Sequence, residues 1–93
     1  MLSQIPLNLD NVDKKEKDKQ ILRIGMIAEL DAVSLYEQLA ATTENEGLRN
    51  ILLDVAKEEK THVGEFQALL LELDKEQAEE LEKGKEEVEE LTN

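Results

Sequence analysis

The chain has no cysteine, one proline, four glycines and two aromatic residues, Tyr36 and Phe66. Without cysteine there are no disulfides, thiolate metal sites or iron–sulfur clusters. With so little proline and glycine, long uninterrupted helices face few breaks. No apolar run approaches the ~18 residues of a membrane span. Met1 to Asn11 lacks the basic start and apolar block of a signal peptide. Positive charge is also scarce: 11 Lys and Arg stand against 23 Asp and Glu, a formal net charge of −12. That balance argues against nucleic acid, whose phosphates it would repel, and against anionic membrane surfaces. It is compatible with cations, although an acidic helix face is usually plain solvated surface.

What is present is Leu, Ala, Glu and Lys in quantity, the composition of an all-α protein. Ninety-three residues allow one small domain. Residues 1–12 read as an extended arm, with Pro6 opposing regular structure. Asp13 followed by Glu16 fits a capping box opening a first helix that runs to about Ala41. Thr42-Thr43-Glu44-Asn45-Glu46-Gly47 breaks the pattern, and Thr43 with Glu46 fits a second box. A second helix follows to about Leu73, so 13–73 read as an antiparallel hairpin. Asp74 with Gln77 starts a short C-terminal helix within 74–93, weakened by Gly84 and carrying a thin apolar stripe of Ala78, Leu81, Val88 and Leu91. The Glu-rich stretch from Glu79 to Glu90 reads as a solvated face.

The apolar register singles out three polar residues. In the second helix Leu48, Leu52, Val55, Glu59, His62, Phe66, Leu69 and Leu73 recur at spacings of four and three, a seam facing a partner helix. Leu22, Met26, Glu29, Val33, Tyr36 and Ala40 do the same in the first helix. Glu29, Glu59 and His62 therefore interrupt otherwise apolar stripes. Glu59 and His62, three apart, share a face. Counted from a turn centred between Glu44 and Asn45, Glu29 and Glu59 lie at nearly the same height at ~1.5 Å of rise per residue. His62 lies one turn further.

An ionised carboxylate in an apolar seam is costly unless paired or bound to metal. No Lys or Arg in either seam is placed to neutralise Glu29 and Glu59, whereas a divalent cation satisfies both and the imidazole together. Imidazole with carboxylates suits iron, manganese or zinc. One Glu plus a Glu-x-x-His is half the ligand set of a carboxylate-bridged two-metal site. Two hairpins related by a two-fold axis complete a four-helix bundle and supply four carboxylates and two imidazoles. Glu58 and Glu65 read as surface carboxylates, and Met26 as packing.

Three stretches carry a family likeness: Ala28-Glu29-Leu30-Asp31-Ala32, Leu35-Tyr36-Glu37-Gln38, and Leu52 through Phe66 with its Glu58-Glu59-Lys60-Thr61-His62. Over roughly Ile21 to Leu73 the chain resembles the encapsulated ferritins, half-size ferritin-like proteins. The resemblance implies a dimer-based homo-oligomer, an annular decamer of five dimers. It implies a ferroxidase that oxidises Fe²⁺ with dioxygen at a di-iron site between two subunits. It also implies delivery of Fe³⁺ to an encapsulin shell protein, hence a cytoplasmic location inside a nanocompartment. By the same resemblance Glu29, Glu59 and His62 are the iron ligands, Tyr36 is a tyrosine kept near the metal, and Asp31 is a shortened acidic residue on the iron access path. Ala28 stands where some members carry another access carboxylate. Glu89 to Asn93 shows no recognisable encapsulation peptide, although some members are instead fused in front of the shell protein. The residues alone also admit a metal-binding helical oligomer without catalysis, or a structural adaptor whose buried polar groups fix register.

Overall fold

The computed structural model describes residue 10 and residues 13–93, which form α1 (Lys14–Thr42), α2 (Glu46–Leu73) and α3 (Lys75–Thr92), with no strand among them. The arm expected over 1–12 lies outside the described residues except for Asp10. The rest is the all-α hairpin with a C-terminal helix that the pattern predicts.

Each helix end has a local cause. The Glu16 N–H donates to the Asp13 carbonyl at 2.8 Å as α1 begins. The opening of α2 differs from expectation, because its cap is Asn45 and not Thr43: the Asn45 side-chain oxygen accepts the Leu48 N–H at 2.9 Å. Thr43 sits one step outside, its hydroxyl accepting the Asn45 N–H at 3.1 Å. The cap must stand three residues before the amide it satisfies, and for Leu48 that position is 45. The carbonyls at the end of α1 are taken by Arg49 from the first turn of α2, whose Nε donates to Ala40 O at 3.2 Å and Nη2 to Thr43 O at 2.5 Å. One side chain thus closes one helix and pins the next.

Asp74 separates α2 from α3 with an extended backbone (φ −131°, ψ 90°). Its N–H ends α2 on Leu70 O at 2.9 Å. One of its carboxylate oxygens accepts the Gln77 N–H at 3.0 Å, as expected, and the other accepts Arg23 Nη2 at 2.7 Å. Helix α3 buries no residue and runs unbroken through Gly84. Its Gln77 and Leu81 join Met26, Ile27, Leu30 and Leu70 around a groove on one face of the hairpin.

The buried core is Leu22, Val33 and Ala40 from α1 with Ala56 and Leu70 from α2. The α1 stripe is the expected one. On α2 the contact is turned by about one step. Leu48, Leu69 and Leu73 are 48%, 52% and 50% exposed, while Leu52, Ala56, Glu59, Val63, Phe66 and Leu70 turn inward to the hairpin. The apolar surface of α2 is wider than one helix contact, so α1 takes one flank and leaves the other uncovered. The small side chains of Ala40 and Ala56, each 2% exposed, suit close approach of the two helices.

Candidate metal centre

Glu29 projects from the middle of α1, and Glu59 and His62 from successive turns of α2. The antiparallel packing brings them together: His62 Nδ1 lies 3.4 Å from Glu29 Oε2 and 3.4 Å from Glu59 Oε2. One donor atom from each side chain lies within 4.8 Å of the others. Among the described residues, this is the group of His, Asp and Glu side chains that converges in this way.

The donor set suits a divalent first-row ion. Two carboxylates and an imidazole offer oxygen and nitrogen ligands. Donors each about 2.1 Å from a shared ion stand about 3 to 3.4 Å apart, close to the two 3.4 Å spacings from His62 Nδ1. The carboxylates are largely enclosed, with Glu29 and Glu59 side chains 21% and 19% exposed, while the imidazole is 44% exposed.

The register refines the expected heights. Glu29 meets His62, and one turn away Gly25 meets Phe66. Glu29 is therefore level with His62, and Glu59 reaches across from the turn nearer the loop. The pair Lys60 Nζ and Glu37, 3.3 Å apart, ties the helices on their exposed side without touching the three donors.

An open cavity of about 340 Å³ lies beside the group, lined by Glu29, His62, Glu65, Phe66 and Leu69. Glu65, read from the sequence as a surface carboxylate, is exposed but stands at this cavity. The signal for it was its position three residues beyond His62, which continues the Glu59–His62 row. Tyr36 is half-buried two turns along α1 from Glu29. Asp31 is half-buried and two residues from Glu29, so about 200° further round the helix. It does not join the three donors.

Around these residues the likeness to known proteins is extensive. Residues 5–88 match the sequence profile of the EncFtn-like family. A Ferritin-like-encapsulin shell fusion protein of Pyrococcus furiosus is 60% identical over 94 residues, covering 99% of this chain and 27% of that protein. The encapsulin nanocompartment cargo protein EncC of Myxococcus xanthus is 39% identical over 70 residues, covering 72% of this chain and 54% of that one. The chain thus spans about a quarter and about half of these relatives' lengths. The crystal structure of the encapsulated ferritin domain from Pyrococcus furiosus superposes with a TM-score of 0.85 at 58% identity, covering 99% of this chain and 96% of that one. With a profile match over nearly its whole length, the chain belongs to the EncFtn-like family.

Proposed function

We propose that two copies of this chain form a ferroxidase centre that oxidises Fe²⁺ with dioxygen at paired Glu29, Glu59 and His62 sets. The observation that carries the reading is the convergence of those three donors at the margin of an uncovered apolar face. One copy supplies three ligands, and a second related by a two-fold axis supplies three more, the set of a four-helix di-iron site. In this reading residues 13–73 carry the chemistry and 74–93 extend the contacts.

Iron is the substrate. Two Fe²⁺ lose one electron each, and dioxygen accepts both and, with two protons, becomes hydrogen peroxide. The side chains act by position and charge. Glu29 and Glu59 neutralise much of the charge of the incoming cations. His62 offers an imidazole nitrogen as the third ligand of each set. Phe66 and Leu69 supply the apolar wall. Likeness to a shell fusion protein and to a nanocompartment cargo protein supports delivery of Fe³⁺ into an encapsulin compartment, and the ring of five dimers is the assembly the resemblance implies.

The test is aerobic addition of Fe²⁺, with ferric absorbance followed in the near ultraviolet and oxygen by electrode. Glu29→Ala/His62→Ala is expected to fall to the rate of buffer alone. Equal rates in wild type and variant overturn the reading. Metal bound without oxygen consumption in the wild type favours a non-catalytic metal-binding oligomer instead.

A further inference from the structure

We propose that Gly25 and Phe66 act together as a spacer that sets the separation between Glu29 and His62, and hence the geometry offered to the metal. The proposal rests on the reading of Glu29, Glu59 and His62 as ligands. Gly25 precedes Glu29 by four residues on α1, and Phe66 follows His62 by four on α2. Each pair stacks one turn apart on its helix, so the Gly25–Phe66 contact is the step of helix packing next to the Glu29–His62 contact.

The contact is tight. A Cβ built on Gly25 would stand 3.2 Å from Phe66 Cε2 and 3.3 Å from its Cδ2 and Cζ. Carbon atoms prefer about 3.5–4.0 Å. The ring therefore lies close against the bare backbone of α1, and a Cβ at 25 requires it to give by a few tenths of an ångström. Glycine is otherwise a poor choice inside a helix, and here its backbone φ is not positive, so no turn requires it. Gly64 and Gly84 have nothing within 4 Å of the same constructed atom.

A side chain at 25 must push the ring back by at least a few tenths of an ångström. One way out is into the cavity that Phe66 shares with Glu29 and His62. The other moves α2 away from α1. Either change falls one helical turn from the 3.4 Å approach of His62 Nδ1 and Glu29 Oε2, and on this proposal it is transmitted there. Gly25 and Phe66 touch no metal in this scheme; they are positioning residues.

The experiment is anaerobic titration of the purified full chain with Co²⁺, reading the ligand-field absorption and then displacement by Zn²⁺. Gly25→Ala is expected to keep its helix content by circular dichroism, to shift the Co²⁺ bands, and to lose about tenfold or more in affinity, as changes to groups that orient ligands do. Gly84→Ala, a glycine exchange with open space around it, is expected to bind as wild type. In a Phe66→Leu background the same Gly25→Ala exchange is expected to change nothing, because no ring stands in the way. Wild-type spectra and affinity in Gly25→Ala overturn the proposal, as does an equal loss in both backgrounds. Should Gly25→Ala alone not fold, the ring is confirmed as the obstacle if Phe66→Leu restores folding, and the proposal falls if it does not. His62→Ala separates the two readings. Unchanged Co²⁺ binding there ends the ligand assignment itself. Loss there with no effect of Gly25→Ala ends only the spacer.

Discussion

Asp74 shows how much one side chain can hold together. It ends α2 and caps α3, and it binds Arg23 of α1. The Gln77 N–H holds its carboxyl below the ordinary value of 3.8, with Lys19 and Arg23 adding to the effect and desolvation opposing it. A carboxylate whose pKa is lowered by folding stabilises the fold above its unfolded value. That contribution fades as pH falls below 3.8 and is lost once the folded pKa is passed. Helicity at 222 nm, followed through an acid titration, is expected to drop over that window. Asp74→Asn keeps an acceptor for the Gln77 N–H but has no proton to gain, so its acid limb is expected to be flatter. The three candidate ligands offer a second test at this scale. A ligand that binds the folded state alone stabilises it by about 2.7 kcal/mol at a hundredfold excess over Kd. Zn²⁺ or Co²⁺ is therefore expected to raise the melting temperature of the wild type, and a chelator to return it. His62→Ala is expected to show neither shift. An equal shift in that variant places the metal elsewhere.

At the scale of the helices, local signals were readable, and long-range ones only where a short loop fixed the register. The Asp74–Gln77 cap spans three residues, so its chemistry is written in consecutive letters. Arg23 meets Asp74 across 51 residues, and nothing in either neighbourhood announces it. The loop sequence pointed to Thr43 as the cap of α2, whereas the backbone places Asn45 there. Convergence of Glu29, Glu59 and His62 was legible because the loop is short and α-helical rise is regular. The facing of α2 was not, since a stripe broad enough for two neighbours does not say which flank each neighbour takes. Gly25 was invisible for a related reason: a glycine in a helix is informative only when its opposite number is known. The loop offers a prediction of its own. Arg49 is half-buried and donates to the Ala40 and Thr43 carbonyls. Hydrogen bonds from a charged donor contribute about 1.5–3 kcal/mol. Arg49→Met is expected to lower stability by about that amount in urea unfolding, with the slope of the transition unchanged. Arg49→Lys is expected to recover little, because a single ammonium does not reproduce the guanidinium fork.

The described residues span 47 × 43 × 20 Å, with α1 packed on α2 and α3 touching α2. Two helices packed on each other bury one flank each and leave their other apolar flanks uncovered. Ile21, Leu48, Ile51, Leu69 and Leu73 are 48%, 48%, 63%, 52% and 50% exposed. By helical geometry they lie on the side toward which His62 opens, and Leu69 lines the cavity beside it. If a second copy seats there, the same act buries this face and closes the six-ligand site, so assembly and metal binding are one equilibrium. Their coupling is measurable. Ile51→Lys/Leu69→Lys leaves Glu29, Glu59 and His62 in place but sets charge in the contact. Light scattering is expected to show a smaller particle, and Co²⁺ affinity is expected to fall with it. A variant that keeps its mass, or that dissociates yet binds metal as before, breaks the link between the face and the site. Charge gives the same equilibrium a second handle. Two copies of net charge −12 repel each other, and salt screens that repulsion over a Debye length of about 8 Å at physiological ionic strength. Apolar burial is not weakened by such salt. Raising NaCl is thus expected to favour the assembled form of the metal-free protein. Divalent cations are expected to do so at far lower concentration, because they neutralise charge at the contact itself. If NaCl instead disperses the wild-type assembly, opposite charges and not the apolar face hold the copies together.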